Sequence, residues 1–558
     1  MTMPHSRTSL PLAAPLLLGS YQALCLNAPE LWERLGALRA TASPLSAWLT
    51  VVAEAGMVLG VCVMLALLLA VAGRRTLLLG GGAMVLLSAA ASYYMVRFDV
   101  VIGYGIVQAV MASDQALSRE KLSQGLMLWV LLLGVLPLAA WWWLCLRRRA
   151  ARAGQRVRHV WPPRLLLLGG ALTLALGSHA AVRHQAEQQP GGKPAVSASG
   201  LVAHRYVPTN WMSGLGMTVA NRATAALRAG QLGDPAEQFS YREATPLDDL
   251  TVVLVIGETT RYDHLGLLGY GRDTTPRLSR EADLVAFRAE SCDTSTRLSL
   301  ACMFVRPEGV ETGQGLAPDQ IHEDKVFSVF RELGFGIELF AMQSEVGFYH
   351  RVGPDFYKMR EVIVEGADPA QPQVVDGLLL PEVDASLQRH PKGRHLIVLH
   401  KKGSHFMYSQ RYPRAFARWT PECTEADGSC GREQLVNAYD NSVLYGDHVL
   451  GELLDRLRGR KALVVFTSDH GESIGDGAHF HGTPRAIAPP EQRRVPLMFW
   501  GSPALLADPV HREAFARLRQ RADSNHPAAH RHLFASMLGC LSIQSPDGGV
   551  TPADNLCH

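Results

Sequence analysis

The stretch "LVVFTSDHGES", Leu463 to Ser473, is an apolar, β-branched run that ends on a carboxylate, an imidazole and a glycine. Strands buried on both faces of a sheet have this make-up. Their carboxyl ends are where open α/β sheets hold ligands. Two more runs end the same way: "VVLVIGETTRYDH" delivers Glu258, and "LIVLHKKGSH" delivers His400 and His405. "GDGAHFHGTP" adds His479 and His481 shortly after Asp469, His470 and Glu472. The segments "LTVVLVIG", "GIELFAM", "HLIVLH", "KALVVFTSDHG" and "VPLMFWG" are candidate strands, and "LVNAYDNSVLYGDHVLGELLDRLRGR" carries apolar residues at helical spacing. This alternation predicts an α/β/α sandwich around a mostly parallel sheet.

Mixed carboxylate and imidazole donors suit zinc. A lone Asp-His pair is usually polar surface, and a lone Glu258 would serve a helix N-terminus equally well. Several such strand ends in one domain favour a metal site, with Glu258, Asp469 and His470 as ligands and His405 and His481 beside them. His400 and His479 are expected to be structural. A metal needs a task, and "SCDTSTRLSLAC", Ser291 to Cys302, sets four hydroxyl residues and one Arg between two cysteines. A Thr or Ser becomes an effective nucleophile when a metal or a base lowers the cost of its alkoxide. A disulfide would pin both ends of that cluster.

The 558-residue chain is too long for one ordinary domain, and its composition changes near residue 185. Its net charge of +3, from 54 basic and 51 acidic residues, gives no nucleic-acid footprint. Five apolar runs occupy the first third: Leu10 to Leu26, Ala47 to Ala72, Thr76 to Val96, Leu126 to Leu146, and Leu165 to Val182. Each approaches the roughly 20 residues that span a bilayer, so a five-helix anchor is expected rather than a cleaved leader. The first run holds Pro11 and Pro15; the second holds Glu54, expected near the interface or packed against other helices. The basic stretches "GRRT", Gly73 to Thr76, and "RRRAARAGQRVRH", Arg147 to His159, are expected in the cytoplasm. The N-terminus is then inside, and the chain beyond about His184 lies in the periplasm of a bacterial inner membrane. The expected division is residues 1–184 as membrane domain, 185–245 as linker and interfacial helices, and 246–558 as catalytic domain. "QQPGGKPAVSASG", Gln188 to Gly200, is the linker; "RYVPTNWMSGLGMTVANRATAAL" is an interfacial segment or an amphipathic helix.

Of nine cysteines, Cys25, Cys62 and Cys145 fall in the apolar runs, and six lie beyond them. An even number in an oxidising compartment reads as up to three disulfides. Proximity pairs Cys292 with Cys302, Cys423 with Cys430 and Cys540 with Cys557, among fifteen pairings that six cysteines allow.

With these residues in place the chain resembles the membrane-bound phosphoethanolamine transferases, which have an alkaline phosphatase-like catalytic domain and modify lipopolysaccharide. "GETTRYDHLGLLGY", "SCDTSTRLSLACMF", "KGSHFMYSQRYP", "NSVLYGDH" and "SDHGES...HGTP" carry the resemblance in order and spacing. It implies that Thr296 is the nucleophile and is phosphoethanolaminylated. It also implies that Glu258, Asp469, His470 and Thr296 hold one tight zinc, and that His405 and His481 serve a second zinc or the phosphoryl group. The family's disulfides match Cys292 to Cys302 and Cys423 to Cys430. Many lipid A-modifying members have Val-Pro where this chain has Leu300 and Ala301, and a Cys- and Lys-bearing segment where it has "FAMQSEVGFYHRVG". No phosphate-binding Lys is carried over to that segment. These departures, with "HGTPRAIAPPEQRRVPLMFW" and the terminal "GCL...LCH", are similar to the branch acting on the Kdo sugar of Kdo2-lipid A.

The resemblance implies phosphatidylethanolamine as donor, taken up by a groove expected at the loop Arg97 to Gln124 and around Trp211, and implies a membrane-embedded enzyme. Calcium would assist only by bridging anionic lipopolysaccharide. Four other readings compete. A sulfatase would need Cys-x-Pro-x-Arg, but Cys292 is followed by Asp293, Thr294 and Ser295. A phosphodiesterase or glycerol-phosphate transferase would use the same chemistry, as would a transferase acting on lipid A phosphate. A membrane scaffold would give no reason to gather Glu258, Thr296, Asp469 and His470.

Overall fold

The computed structural model describes residues 12–112, 123–150, 161–187, 197–228, 232–313, 316–366, 375–425, 430–475 and 479–558. Leu10 and Pro11, most of the basic stretch Arg147 to His159, residues 113–122 of the loop Arg97 to Gln124, and residues 188–196 of the linker lie outside them. The described residues up to Val219, Ala112 excepted, form one compact unit, and Ala112 with those from Ala220 to His558 forms another.

The first unit is helical. Four helices are long and apolar enough to cross a membrane: α1 (Pro44–Ala72), α2 (Arg74–Phe98), α3 (Gln124–Cys145) and α4 (Pro163–Glu187). The expected fifth span is not among them. The run from Leu10 instead forms an eight-residue helix, Ala13–Ser20, and a five-residue π-turn, Tyr21–Cys25. Asn27 ends it by donating from Nδ2 to the carbonyls of Gln22 and Ala23, and a polar helix, Ala28–Thr41, follows. Helices α1 and α4 approach so closely that a Cβ on Gly60 would fall 2.7 Å from the Ala171 carbonyl oxygen. Small residues at such crossings let helices pack where lipid offers no hydrophobic drive. Glu54, buried on α1, pairs with Arg34 at 3.2 Å and accepts a 2.6 Å hydrogen bond from the Tyr206 hydroxyl. The sequence's interfacial segment forms the helix Thr209–Arg228, and Trp211 on it donates to Ser88.

The second unit is built on an eight-stranded sheet. In chain order its strands are β1 (Leu250–Gly257), β2 (Leu284–Glu290), β3 (Gly336–Ala341), β4 (Phe356–Met359), β5 (His395–His400), β6 (Lys461–Ser468), β7 (Arg494–Gly501) and β8 (Ala528–Ala529). Across the sheet the order is β8, β2, β7, β6, β1, β5, β3, β4. The strands β6, β1, β5, β3 and β4 are parallel, whereas β7 runs antiparallel to β6 and β2. All eight residues of β1 are buried, as expected of a central strand covered on both faces. The sequence missed β2 because its inward residues alternate with outward ones and a charge interrupts them. The helix α5 (Arg432–Leu457) supplies the covering layer, and its Asp440 accepts from Tyr270 and Arg272 and pairs with His264. The loop after β1 is thereby fixed.

The six cysteines of this unit form three disulfides, Cys292–Cys302, Cys423–Cys430 and Cys540–Cys557. Cys62 and Cys145 are free and buried in the helical unit, and Cys25 there is free and exposed.

Candidate active site

Parallel pairing of β6, β1 and β5 sets three strand ends side by side, and polar residues project from each. Glu258 follows β1, and Asp469 and His470 follow β6. All three are fully buried. Thr296 opens the short helix α6 (Thr296–Cys302), whose far end is tied by the Cys292–Cys302 disulfide to the chain four residues before Thr296. Thr296 Oγ1 donates to Glu258 Oε2 at 3.1 Å and lies 3.3 Å from His470 Nε2. His470 Nε2 is also 3.3 Å from Glu258 Oε1 and 3.3 Å from Asp469 Oδ2.

The backbone holds this cluster in place. Asp469 Oδ1 accepts from the amides of Thr259 and His470, and His470 Nδ1 donates to the Gly471 carbonyl at 2.8 Å. That bond commits Nδ1 and turns Nε2 toward the carboxylates. Gly403, after β5, has φ +54°, and a Cβ there would meet the Glu258 carbonyl oxygen at 2.5 Å. Only glycine permits that approach.

A divalent cation fits these residues. Among the described residues Glu258 Oε1 and Asp469 Oδ2 are buried and accept no hydrogen bond, a costly arrangement for carboxylate oxygens unless a cation meets them. Burial and the Glu258 charge hold the Asp469 carboxyl well above its usual range. Glu258 is pulled down to about 2, because the His470 imidazole outweighs the opposing effect of burial. Against burial, Asp469 and Glu258 push His470 up to about 10. A second proton on Nε2 and a metal ion therefore compete for one position. The donor set, two carboxylates and an imidazole, is of the kind zinc accepts.

His481 joins this cluster: ligand atoms of Glu258, His470 and His481 all lie within 4.8 Å of one another. Between centroids, its ring is 4.1 Å from that of His470 and 6.1 Å from that of His405. His481 Nδ1 is bonded at 2.6 Å to Glu472, which also accepts from the Tyr408 hydroxyl. Burial, followed by the neighbouring His470, lowers the His481 pKa. His400 is buried and bonded to the Tyr349 hydroxyl, and His479 lies in the short hairpin before His481. Two neighbours were given no role in the sequence reading, although Lys402 opens the quoted motif "KGSHFMYSQRYP": Gln343 donates to Glu258 Oε2 at 2.8 Å, and Lys402 donates to Gln343. Such a relay has no motif spacing that could reveal it.

The sulfatase family model matches residues 251–543, and a model for phosphoethanolamine transferase EptA/EptB matches residues 60–188. Kdo(2)-lipid A phosphoethanolamine 7''-transferase of Escherichia coli K12 is 42% identical over 550 residues, covering 97% of this chain and 96% of its own. The chain belongs to the phosphoethanolamine transferase family. Its fold matches the integral membrane lipooligosaccharide phosphoethanolamine transferase A of Neisseria meningitidis with a TM-score of 0.79, 26% identity and 98% coverage of both chains. The soluble domain of that protein, 30% identical, covers 58% of this chain and 97% of its own with a TM-score of 0.51. Membership makes the chain a membrane-bound transferase with its catalytic unit on the periplasmic side. The five motifs quoted from the sequence all lie within the segment that the sulfatase model matches.

Proposed function

We propose that this chain transfers phosphoethanolamine from phosphatidylethanolamine to the Kdo sugar of the lipopolysaccharide inner core, with Thr296 as the nucleophile and a phosphothreonine intermediate. The observation that carries the chemistry is the convergence of Thr296 Oγ1, His470 Nε2 and two unsatisfied carboxylate oxygens on one buried point. The acceptor is supported by 42% identity, over nearly the full length, to a transferase named for it. On this reading residues 1–184 anchor the enzyme, 185–245 connect and 246–558 catalyse. Membrane anchorage suits the reaction because donor and acceptor are both lipids.

Glu258, Asp469, His470 and Thr296 would hold one tight zinc, with His405 and His481 available for a second ion or for the phosphoryl group. When bound, the metal offsets negative charge and favours the Thr296 alkoxide. Calcium is assigned only a stimulating role through the anionic acceptor. In the first half-reaction Thr296 Oγ1 releases its proton, which the second half-reaction returns, and attacks the donor phosphorus. The bond from phosphorus to the diacylglycerol oxygen breaks, and diacylglycerol leaves with a proton. In the second, an acceptor hydroxyl attacks the same phosphorus, loses its proton, and Thr296 Oγ1 is released and reprotonated. Glu472 commits His481 Nδ1, so its Nε2 is suited to give the first proton and take the second. Gln343 and Glu472 orient Glu258 and His481.

The test is mass spectrometry of lipopolysaccharide from cells expressing wild type or Thr296→Ala, with lipid A and Kdo fragments measured separately. Thr296-dependent phosphoethanolamine on Kdo is expected. The group on lipid A phosphate would replace the acceptor, and modification that persists in Thr296→Ala would remove the nucleophile.

A further inference from the structure

The catalytic unit has a cavity of about 380 Å³ beside α6, lined by Arg297, Leu300 and Ala301 from that helix together with Lys325, Glu345 and Arg351. Its volume is within the about 300–1,000 Å³ of small-ligand pockets. Arg297 directly follows Thr296, so the cavity adjoins the proposed nucleophile's own helix. The charge inventory is uneven. Glu345 is engaged by Arg297 at 3.1 Å. Asp319, the other carboxylate in the lining, accepts from Arg485 and from the Gly313 amide. Arg351 has a 3.6 Å partner in Asp324, and more than a third of its side chain is exposed.

Lys325 is different. It is 4% exposed, and its ammonium donates to a single acceptor, the Ala301 carbonyl, at 2.6 Å. Among the described residues no carboxylate forms an ion pair with it. A buried ammonium with N–H donors left over is costly unless an anion enters to meet them. Burial, and after it repulsion from Arg351, lower its pKa to about 7 against the opposing pull of Asp324, the direction expected of a buried ammonium.

We infer that this cavity is the subsite for a carboxylate of the acidic acceptor sugar, bound by Lys325 and Arg351 while Thr296 carries the phosphoethanolamine. The inference rests on the acceptor proposed above, because a 2-keto sugar acid brings a carboxylate close to the hydroxyl that must reach phosphorus. A donor phosphodiester offers the same anionic chemistry, and the experiment separates the two.

Full-length enzyme in proteoliposomes would be assayed with phosphatidylethanolamine and two acceptors, Kdo2-lipid A and its Kdo methyl ester. Wild type is expected to have a KM about tenfold or more higher for the ester, the loss of a charge-assisted contact. Lys325→Met and Arg351→Gln are expected to raise KM for the acid about tenfold and to lose discrimination against the ester. Arg351 is half-exposed, so its variant reads the site even if Lys325→Met folds poorly. Discrimination that persists in both variants, or a rise in the KM for donor in place of acceptor, overturns the inference. Should wild type fail to modify Kdo in either acceptor, the proposed acceptor falls and takes the subsite with it, an outcome visible before any variant is made.

Discussion

Thr296→Ala is expected to lower transfer by about 10³-fold or more with little change in unfolding temperature, because among the described residues the Thr296 hydroxyl meets Glu258 and His470 of the site. Steady-state rates and thermal melts of the purified variant check both halves. Asp469→Asn is expected to lose metal and activity together, measured by elemental analysis, since Oδ2 is one of the two unsatisfied carboxylate oxygens. At this scale the sequence was informative where chemistry and strand ends coincide. Glu258, Asp469 and His470 each directly follow a buried run, and the hydroxyl cluster is framed by cysteines. The roles of Gln343, Lys402 and Lys325 were not legible, even though Lys402 opens a motif that carries the resemblance. Their roles depend on which side chain lies opposite in space, and each is an ordinary polar residue in its own segment.

The helix α6 is held as an element by a covalent link spanning 10 residues. Replacing Cys292 and Cys302 by Ser is expected to lower stability by about 2–4 kcal/mol and to reduce kcat more than KM, read by denaturant unfolding and kinetics on the same samples. A second element contact sits at the opposite end of β5, away from the catalytic residues. There Glu338 on β3 accepts from Arg389 and His390, and His395 opens β5. Against burial, Arg389 and His390 pull the Glu338 carboxyl down to about 2 from an ordinary 4.5. Its stabilising effect is therefore present above about pH 4.5 and is lost as pH falls toward 2. Glu338→Gln should flatten this acid limb in melts recorded against pH; an unchanged limb would remove the assignment. The central strands were legible because β1, β5 and β6 are continuous apolar runs. β4 and β8, of four and two residues, are too short to carry a period, and β7 reads as a strand without revealing its direction.

At the scale of the whole chain, the division into an apolar helical part and an α/β part was written in composition, whereas among the described residues four helices, against the five expected, are long and apolar enough to span. An apolar run and a spanning helix are different things: the described turns of the first run, Ala13–Ser20 and Tyr21–Cys25, together fall short of the roughly 20 residues of a span. The buried Glu54 shows the complementary effect, a charge tolerated within an apolar helix because Arg34 and Tyr206 meet it. Arg34→Met is expected to destabilise the helical unit by about 3 kcal/mol or more, seen as a lower melting temperature in detergent. The additional Glu54→Gln should recover part of that loss.

The bond from His470 Nδ1 to the carbonyl of the very next residue has an evolutionary consequence. On the zinc assignment proposed above, His470 is aimed by its own neighbour and owes its orientation to no distant loop. Loops such as the one proposed to read the acceptor through Lys325 are then free to drift without turning that imidazole. A family built this way can change what it modifies by rewriting a cavity wall while its reaction stays the same.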